Sequence, residues 1–269
     1  MFIIGELINC TRKRIRAAAE SRDDGYIREV ARKQVEAGAS MLDVNGGIAG
    51  QEVECMAWLV NIVQETVDLP LCLDSSDPEA LKGALPLCKQ PPMINSITLE
   101  PERFDAVLPL LKEFKAKVVA LCMGTSGPPA GVEDRVANAD QLVERLTAEG
   151  IPLDGIFVDP CVLPVSTGPE HGAAVAQAIG QIVTRHPGVH TSVGLSNVSF
   201  GLPLRKLLNQ TFLVALMAHG LDAAIADPCD RQLMINIAAA EALLGRDEFC
   251  VQYLSAFRQG KLEIAVPTA

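Results

Sequence analysis

The sequence predicts an α/β protein built as a single (β/α)8 TIM barrel, and three observations carry that prediction. Eight short apolar runs recur along the chain, each followed by a helix-like stretch. A carboxylate or carboxamide closes seven of those eight runs. The length, 269 residues, is what one such barrel uses, so residues 1–269 are expected to form one domain.

The expected strands are Phe2–Glu6, Ser40–Asn45, Leu71–Asp74, Met93–Asn95, Val118–Cys122, Gly155–Asp159, Gly194–Asn197 and Ala223–Asp227. Between them, residues 24–37 place Ile27, Val30, Ala31 and Val35 on one helical face, and Gly38 stops the helix. A second helix covers 52–67, and Asp77-Pro78 opens a third with a cap followed by proline at the first helical position. Further helices are expected from Pro101 to Lys115, over 133–149, from Pro169 to before Pro187, over 203–219 and over 230–244. The tail after Tyr253 has weak periodicity and is expected to pack late or fray. If the strands are parallel and close on themselves, their polar ends ring one mouth, where such a fold does its chemistry.

Bulk properties exclude several classes. A formal charge of -10 argues against a broad nucleic-acid surface. The densest cationic run, Arg12, Lys13, Arg14 and Arg16, reads first as a solvated loop or helix face. The eight cysteines include no C-x-x-C pair and several lie in apolar runs, which fits buried reduced thiols better than a disulfide framework. The four histidines lack metal-site spacing, so no protein-ligated metal is expected. No signal-peptide pattern opens the chain, and Phe212 to Ala226 is too short to span a bilayer and carries His219 and Asp222. A cytoplasmic protein with no membrane partner is the expectation.

Asp74, Asn95 and Asp159 are the central site candidates. Two carboxylates and one amide suit a flat heterocycle that carries several N–H donors and a carbonyl. A carboxylate accepts two parallel hydrogen bonds from an amidine-like edge, while an amide both donates and accepts. The same residues also suit helix caps and turns, Asp74-Ser75-Ser76-Asp77 above all. The two roles are compatible.

Several motifs make the chain recognisable. They are Ile4-Gly5-Glu6-Leu7-Ile8-Asn9, Leu42-Asp43-Val44-Asn45, Leu71-Cys72-Leu73-Asp74-Ser75, Met93-Ile94-Asn95-Ser96 and Val158-Asp159-Pro160. More specific still are Gly194-Leu195-Ser196-Asn197-Val198-Ser199 and Asp222-Ala223-Ala224-Ile225-Ala226-Asp227. Together they resemble the pterin-binding, corrinoid-dependent methyltetrahydrofolate methyltransferases, in order and over nearly the whole chain. The resemblance implies a barrel that binds tetrahydrofolate or 5-methyltetrahydrofolate, with Asp74, Asn95 and Asp159 on the pyrimidine edge. It places Asn197 at N5, the atom that carries or receives the methyl group, and Gly194 and Ser196 on the adjoining wall. Glu6, Asn9, Asp43, Asn45 and Asp227 are expected to support the same site. Asn197 lacks a useful pKa and is expected to donate a hydrogen bond to N5, with Asp159 or Asp43 relaying a proton through water. Family members usually carry arginine where Leu7 stands, so a charged contact at position 7 is not carried over.

The resemblance also implies a separate corrinoid protein that brings cobalamin, since the chain has no D-x-H-x-x-G segment. It implies a homodimer as well. Two roles follow: the folate-methylating component of an O- or N-demethylase system, or the methyltetrahydrofolate:corrinoid iron–sulfur protein methyltransferase of the acetyl-CoA pathway. The divergent Leu7 position and the loop after Asn197 favour the demethylase role. Loops Thr125–Gly131 and Cys161–Gly168, with Phe200 to Arg205, are the expected docking rim. A dihydropteroate synthase would want lysine after the seventh strand and arginine near the eighth, where Ser196-Asn197 and Asp227 stand. A metal-dependent barrel lyase using Asp43, Asp74 and Asp159 as ligands, and a non-catalytic scaffold, are the remaining alternatives.

Overall fold

Alternation within each strand decides what fills the barrel and what faces its helices. In a computed structural model, which describes residues 1–263, the strands are β1 (Phe2–Asn9), β2 (Met41–Asn45), β3 (Leu71–Asp74), β4 (Met93–Ile97), β5 (Lys117–Leu121), β6 (Ile156–Asp159), β7 (His190–Thr191) and β8 (Ala223–Ala226). All pair in parallel, in the order β7-β6-β5-β4-β3-β2-β1-β8, and a Gly194–Ile225 bridge closes the ring. The helices are α1 (Lys13–Ser21), α2 (Asp24–Glu36), α3 (Glu52–Thr66), α4 (Pro78–Ala84), α5 (Pro101–Phe114), α6 (Val132–Ala148), α7 (His171–Arg185), α8 (Arg205–Ala218), α9 (Arg231–Leu243) and α10 (Val251–Arg258).

Inside the ring, Ile4, Met41, Cys72, Met93, Val119, Phe157, Ala223 and Ile225 form one buried cluster. Their neighbours of opposite parity on each strand, among them Leu42, Leu73, Ile94, Val118 and Val158, pack outward on the helices. Two residues beyond the plug, the inward positions become Glu6, Asp43, Asp74, Asn95, Leu121 and Asp159. Hydrophobic filling at the base and polar groups at the mouth are thus one pattern read at two heights. Register sets Asp74 level with Asn95 and Leu121 level with Asp159, while Asp43 pairs with Cys72 and so sits one layer deeper.

Caps fix where the helices begin. Asp23 accepts from Tyr26 N, Asp77 from Glu79 N ahead of Pro78, and Asp230 from Leu233 N. Gly38 sits at φ +102°, a left-handed conformation that ends the α2 turn cheaply only for glycine.

One helix had no counterpart among those expected. Lys13–Ser21 forms α1, which buries Ile15, Ala18 and Ala19 and carries Lys13, Arg14 and Arg16 on its solvated face, while Arg12 precedes the helix and pairs with Glu6. Two expectations need correction. The seventh strand is His190–Thr191, while Leu195–Asn197 is a 3-10 turn. The ladder ends there because Gly194 N donates to the Asp159 carboxylate (3.2 Å) instead of a neighbouring strand carbonyl. The tail does not fray at Tyr253 but forms α10 through Arg258; residues 264–269 lie outside the described residues. Among the described residues, no helix is long and apolar enough to cross a membrane.

Candidate active site

Two irregularities in the strands aim side chains into the mouth. A register shift in β1 between Gly5 and Ile8 lets Glu6 and Asn9 both face the opening, while Leu7 and Ile8 pack on the outer core. Leu7 N is held by Gln34 Oε1 at 3.0 Å, so position 7 makes an apolar contact here. A second shift, between Asn95 and Ile97, turns Asn95 inward and Ile97 outward.

The resulting cavity, about 270 Å³, is lined by Glu6, Asn9, Asp43, Asp74, Asn95, Gly194, Ser196 and Asn197, with Thr11, Arg12 and Ile225. Asn45 stands beside it and donates from Nδ2 to Asp74 Oδ2 at 3.0 Å, while its Oδ1 accepts from Gly47 N. Asp159 lies beneath Gly194, its two oxygens accepting from Cys161 N (2.8 Å) and Gly194 N (3.2 Å). Glu6 accepts from Arg12 Nη2 (2.7 Å) and Ser196 Oγ (3.1 Å), so β1 and the turn after β7 are tied across the barrel seam. Asp227 is set apart: it lines a neighbouring cavity with Glu6 and Ser196, and its Oδ1 accepts from Cys229 N.

Burial dominates the electrostatics. It raises Asp43 well above the ordinary carboxylate range, and the nearby Asp74 charge adds to this against smaller pulls from Cys72 and Asn95. Asp43 Oδ1 is buried without a hydrogen-bond partner. Asp74 is raised as well, by burial first, with the Asn45 amide and the Arg103 charge opposing. Asp159 is pushed up to about 6 by burial, against the two backbone donors and Arg135. Asn197 is exposed at the rim and has no side-chain hydrogen bond among the described residues.

Sequence reasoning missed three guanidinium groups that hold this frame. Arg103 on α5 donates to the carbonyls of Ser96 (2.7 Å), Ser76 (3.1 Å) and Ser75 (2.7 Å), knitting the loops after β3 and β4. The fully buried Arg135 donates to Gly131 O and Cys161 O, joining the loops after β5 and β6. Arg205 donates to Ser196 O (2.6 Å) and Ser199 Oγ (3.0 Å), fixing the turn that carries Asn197. Arg103→Met is expected to cost about 2–4 kcal/mol in urea unfolding, because three part-buried carbonyls lose a charged donor together. Arg103→Lys should recover only part of that, since one ammonium cannot span the three carbonyls.

Among the described residues, no group of three or more His, Cys, Asp or Glu side chains converges as metal ligands. The site instead offers several acceptors, an amide and one free exposed carboxamide around a flat opening. That constellation on a parallel eight-stranded barrel suits a planar, N–H-rich heterocycle.

The chain belongs to the pterin binding enzyme family, whose model matches residues 5–227. It is 41% identical over 265 residues to the methylcorrinoid:tetrahydrofolate methyltransferase of Eubacterium limosum, covering 97% of this chain and 98% of that protein. It is also 33% identical over 239 residues to the methionine synthase of Mycobacterium leprae (strain TN), covering 84% of this chain but 20% of that protein. Among solved structures, it resembles dihydropteroate synthase from Thermus thermophilus in complex with 6HMPPP, with a TM-score of 0.68 at 20% identity, covering 90% of this chain and 94% of that one. The Coxiella burnetii dihydropteroate synthase in complex with pteroic acid gives a TM-score of 0.71 at 16% identity, covering 92% and 93%. These structures share the pterin-binding type of barrel.

Proposed function

We propose that this chain transfers a methyl group between a protein-bound corrinoid and N5 of tetrahydrofolate, with the pterin ring seated in the barrel mouth. One observation carries the reading. Asp74 and Asn95 line a cavity whose rim also presents the unpartnered carboxamide of Asn197, and Asp159 lies directly beneath Gly194 in its wall. The near-full-length likeness to a methylcorrinoid:tetrahydrofolate methyltransferase supports it.

The donor and acceptor sets match. A pterin offers its 2-amino group and N3–H as adjacent donors, which a carboxylate accepts in parallel, and its 4-oxo group accepts from an amide such as Asn95. Asp74 keeps one oxygen free of Asn45, and each Asp159 oxygen retains a second lone pair. The corrinoid, delivered by a separate protein, supplies the methyl group and takes back the cobalt–carbon electron pair as cobalt(I). Asn197 positions N5 by donating a hydrogen bond that strengthens as charge changes there. Methylating N5 releases its proton. Asp159 or Asp43 accepts that proton through water, and the same group returns it in the reverse direction.

The preferred physiological role is the folate-methylating component of an O- or N-demethylase system; transfer from methyltetrahydrofolate to a corrinoid iron–sulfur protein is the alternative. The Eubacterium limosum relative is named for transfer from methylcorrinoid to tetrahydrofolate, which supports the first. A cytoplasmic homodimer completes the proposal. Leu243 and Phe249, each 86% exposed, and Phe257, 67% exposed, give α9, α10 and the segment between them an apolar face for the second copy.

Anaerobic incubation with tetrahydrofolate and a 13C-methylated corrinoid should yield N5-[13C]methyltetrahydrofolate. Unmethylated folate in the presence of a competent corrinoid protein would contradict the proposal. Gly194→Ala sharpens the test, because its added methyl would sit 3.1 Å from Asn197 Nδ2 and push that amide off its position. The transfer rate should fall about 10- to 100-fold while tetrahydrofolate affinity changes little, as single-turnover rates and equilibrium titration would show.

A further inference from the structure

A buried guanidinium without an ion pair is costly, because its charge leaves water and meets no opposite charge in return. Arg135, in the first turn of α6, is such a group. It is fully buried, makes no ion pair among the described residues, and keeps an Nε without a hydrogen-bond partner. Its two terminal nitrogens both donate to main chain. Nη1 meets Gly131 O (2.9 Å), the cap of its own helix, and Nη2 meets Cys161 O (3.2 Å).

Cys161 is the unusual partner. It stands at φ +63°, in the left-handed region that a residue with a Cβ rarely adopts, two residues after Asp159. In that conformation its N–H donates to Asp159 Oδ1 (2.8 Å) while its carbonyl accepts from Arg135. Burial pushes the Asp159 carboxyl up, and the Cys161 and Gly194 N–H groups and the Arg135 charge pull the other way. Other titratable groups nearby do not share that task. Cys122 and Cys161 are thiols that burial pushes up, so both stay neutral, and Asp43 and Asp74 stand across the ring on β2 and β3.

We infer that Arg135 is a positioning residue for the pterin clamp: its charge, and its grip on Cys161, keep Asp159 in the acceptor state that the ring's N–H edge requires. An ionised carboxylate offers lone pairs on both oxygens, whereas a protonated one turns an O–H toward a donor. The consequence for binding rests on the pterin reading of the mouth; the charge state of Asp159 does not.

Carbon-13 NMR of aspartate-labelled free protein reads that charge state, with the Asp159 signal assigned by its loss in Asp159→Asn. Arg135→Met should move the titration midpoint up by about one pH unit. Tetrahydrofolate affinity should then be about fivefold weaker near pH ~6 and converge on wild type above pH ~8. Arg135→Lys keeps the charge but cannot fork between two carbonyls, so it should move the midpoint by less. It also stands in should Arg135→Met fail to fold. Adding Cys161→Gly to Arg135→Met should recover part of the shift, since glycine holds a left-handed φ without a grip on its carbonyl. No recovery would overturn the route through Cys161. An unmoved midpoint in the folded variants would overturn the inference, and so would a loss of affinity equal at every pH, the mark of a merely structural role. If wild type binds no tetrahydrofolate, the pterin reading fails, while the NMR midpoints still decide whether Arg135 sets the charge state of Asp159.

Discussion

Asp159→Asn weakens tetrahydrofolate binding by about 100- to 1,000-fold, the largest effect on affinity expected at this site. The carboxylate does three things at once. It accepts from Cys161 N, from Gly194 N and, in the proposed complex, from the pterin's N–H edge. Asparagine supplies one acceptor oxygen and turns an N–H₂ group toward a donor, so either the backbone or the substrate loses its partner. Losing the Gly194 contact would also loosen the turn that carries Asn197, so the transfer rate should fall with affinity.

The same residue sets a pH dependence. Burial holds the Asp159 carboxyl at about 6 in the free protein, and substrate N–H donors favour its ionised form. Affinity should therefore decline as pH falls through about 6, and the decline should vanish in Asp159→Asn. For the stability of the free protein the sign is opposite. The folded pKa is raised above the ordinary value of 3.8, so the folded state binds the extra proton between 3.8 and about 6. This group's contribution is present below that window and is lost as pH rises through it. Calorimetric titration across pH 5–8, with urea unfolding of the free protein alongside, would read both signs.

Asn197→Ala should behave differently. Asn197 is exposed and makes no side-chain hydrogen bond in the free protein, so its removal leaves no stranded partner. Tetrahydrofolate affinity and folding stability should change little. The rate of methyl transfer should fall about 10²- to 10³-fold, the usual cost of losing one donor aimed at a site of changing charge. Asn197→Asp should not restore it near neutral pH, because an ionised carboxylate accepts where donation is needed. Rapid-quench single turnovers at saturating folate separate this rate effect from the binding effect at Asp159.

Much of this architecture was legible because parity couples the plug to the mouth. Met41 and Asp43, Cys72 and Asp74, Met93 and Asn95, and Phe157 and Asp159 are each two residues apart on one strand face. An apolar run ending in a polar residue therefore announces both a barrel layer and a rim position. The seventh strand broke the pattern. His190-Thr191-Ser192 is polar though Thr191 and Ser192 are buried, and Asp222 satisfies His190 Nδ1 and Thr191 N from the loop before β8. The α1 helix was obscured by its charge run, of which Lys13, Arg14 and Arg16 stay exposed while three small or apolar residues make its packing face. Arg103, Arg135 and Arg205 left no local signal. Each sits on a helix: Arg103 and Arg135 reach carbonyls whose positions exist only once two loops are placed, and Arg205 folds back on the Ser196–Ser199 turn before its own helix.

Strand bulges were equally hidden. The shift after Gly5 separates Glu6 and Asn9 from Leu7 and Ile8, and no composition marks it. Asp227 shows the complementary limit: a polar residue at a strand end was expected in the mouth, yet the turn after β8 carries it into the adjoining cavity.

The most direct measurement is an anaerobic stopped-flow single turnover, with methylated corrinoid and tetrahydrofolate, following the appearance of cobalt(I). Wild type should produce cobalt(I) in step with 5-methyltetrahydrofolate, Asn197→Ala should do so far more slowly at full folate occupancy, and Asp159→Asn should need much higher folate. Equal rates for wild type and Asn197→Ala at saturating folate would contradict methyl transfer at this mouth.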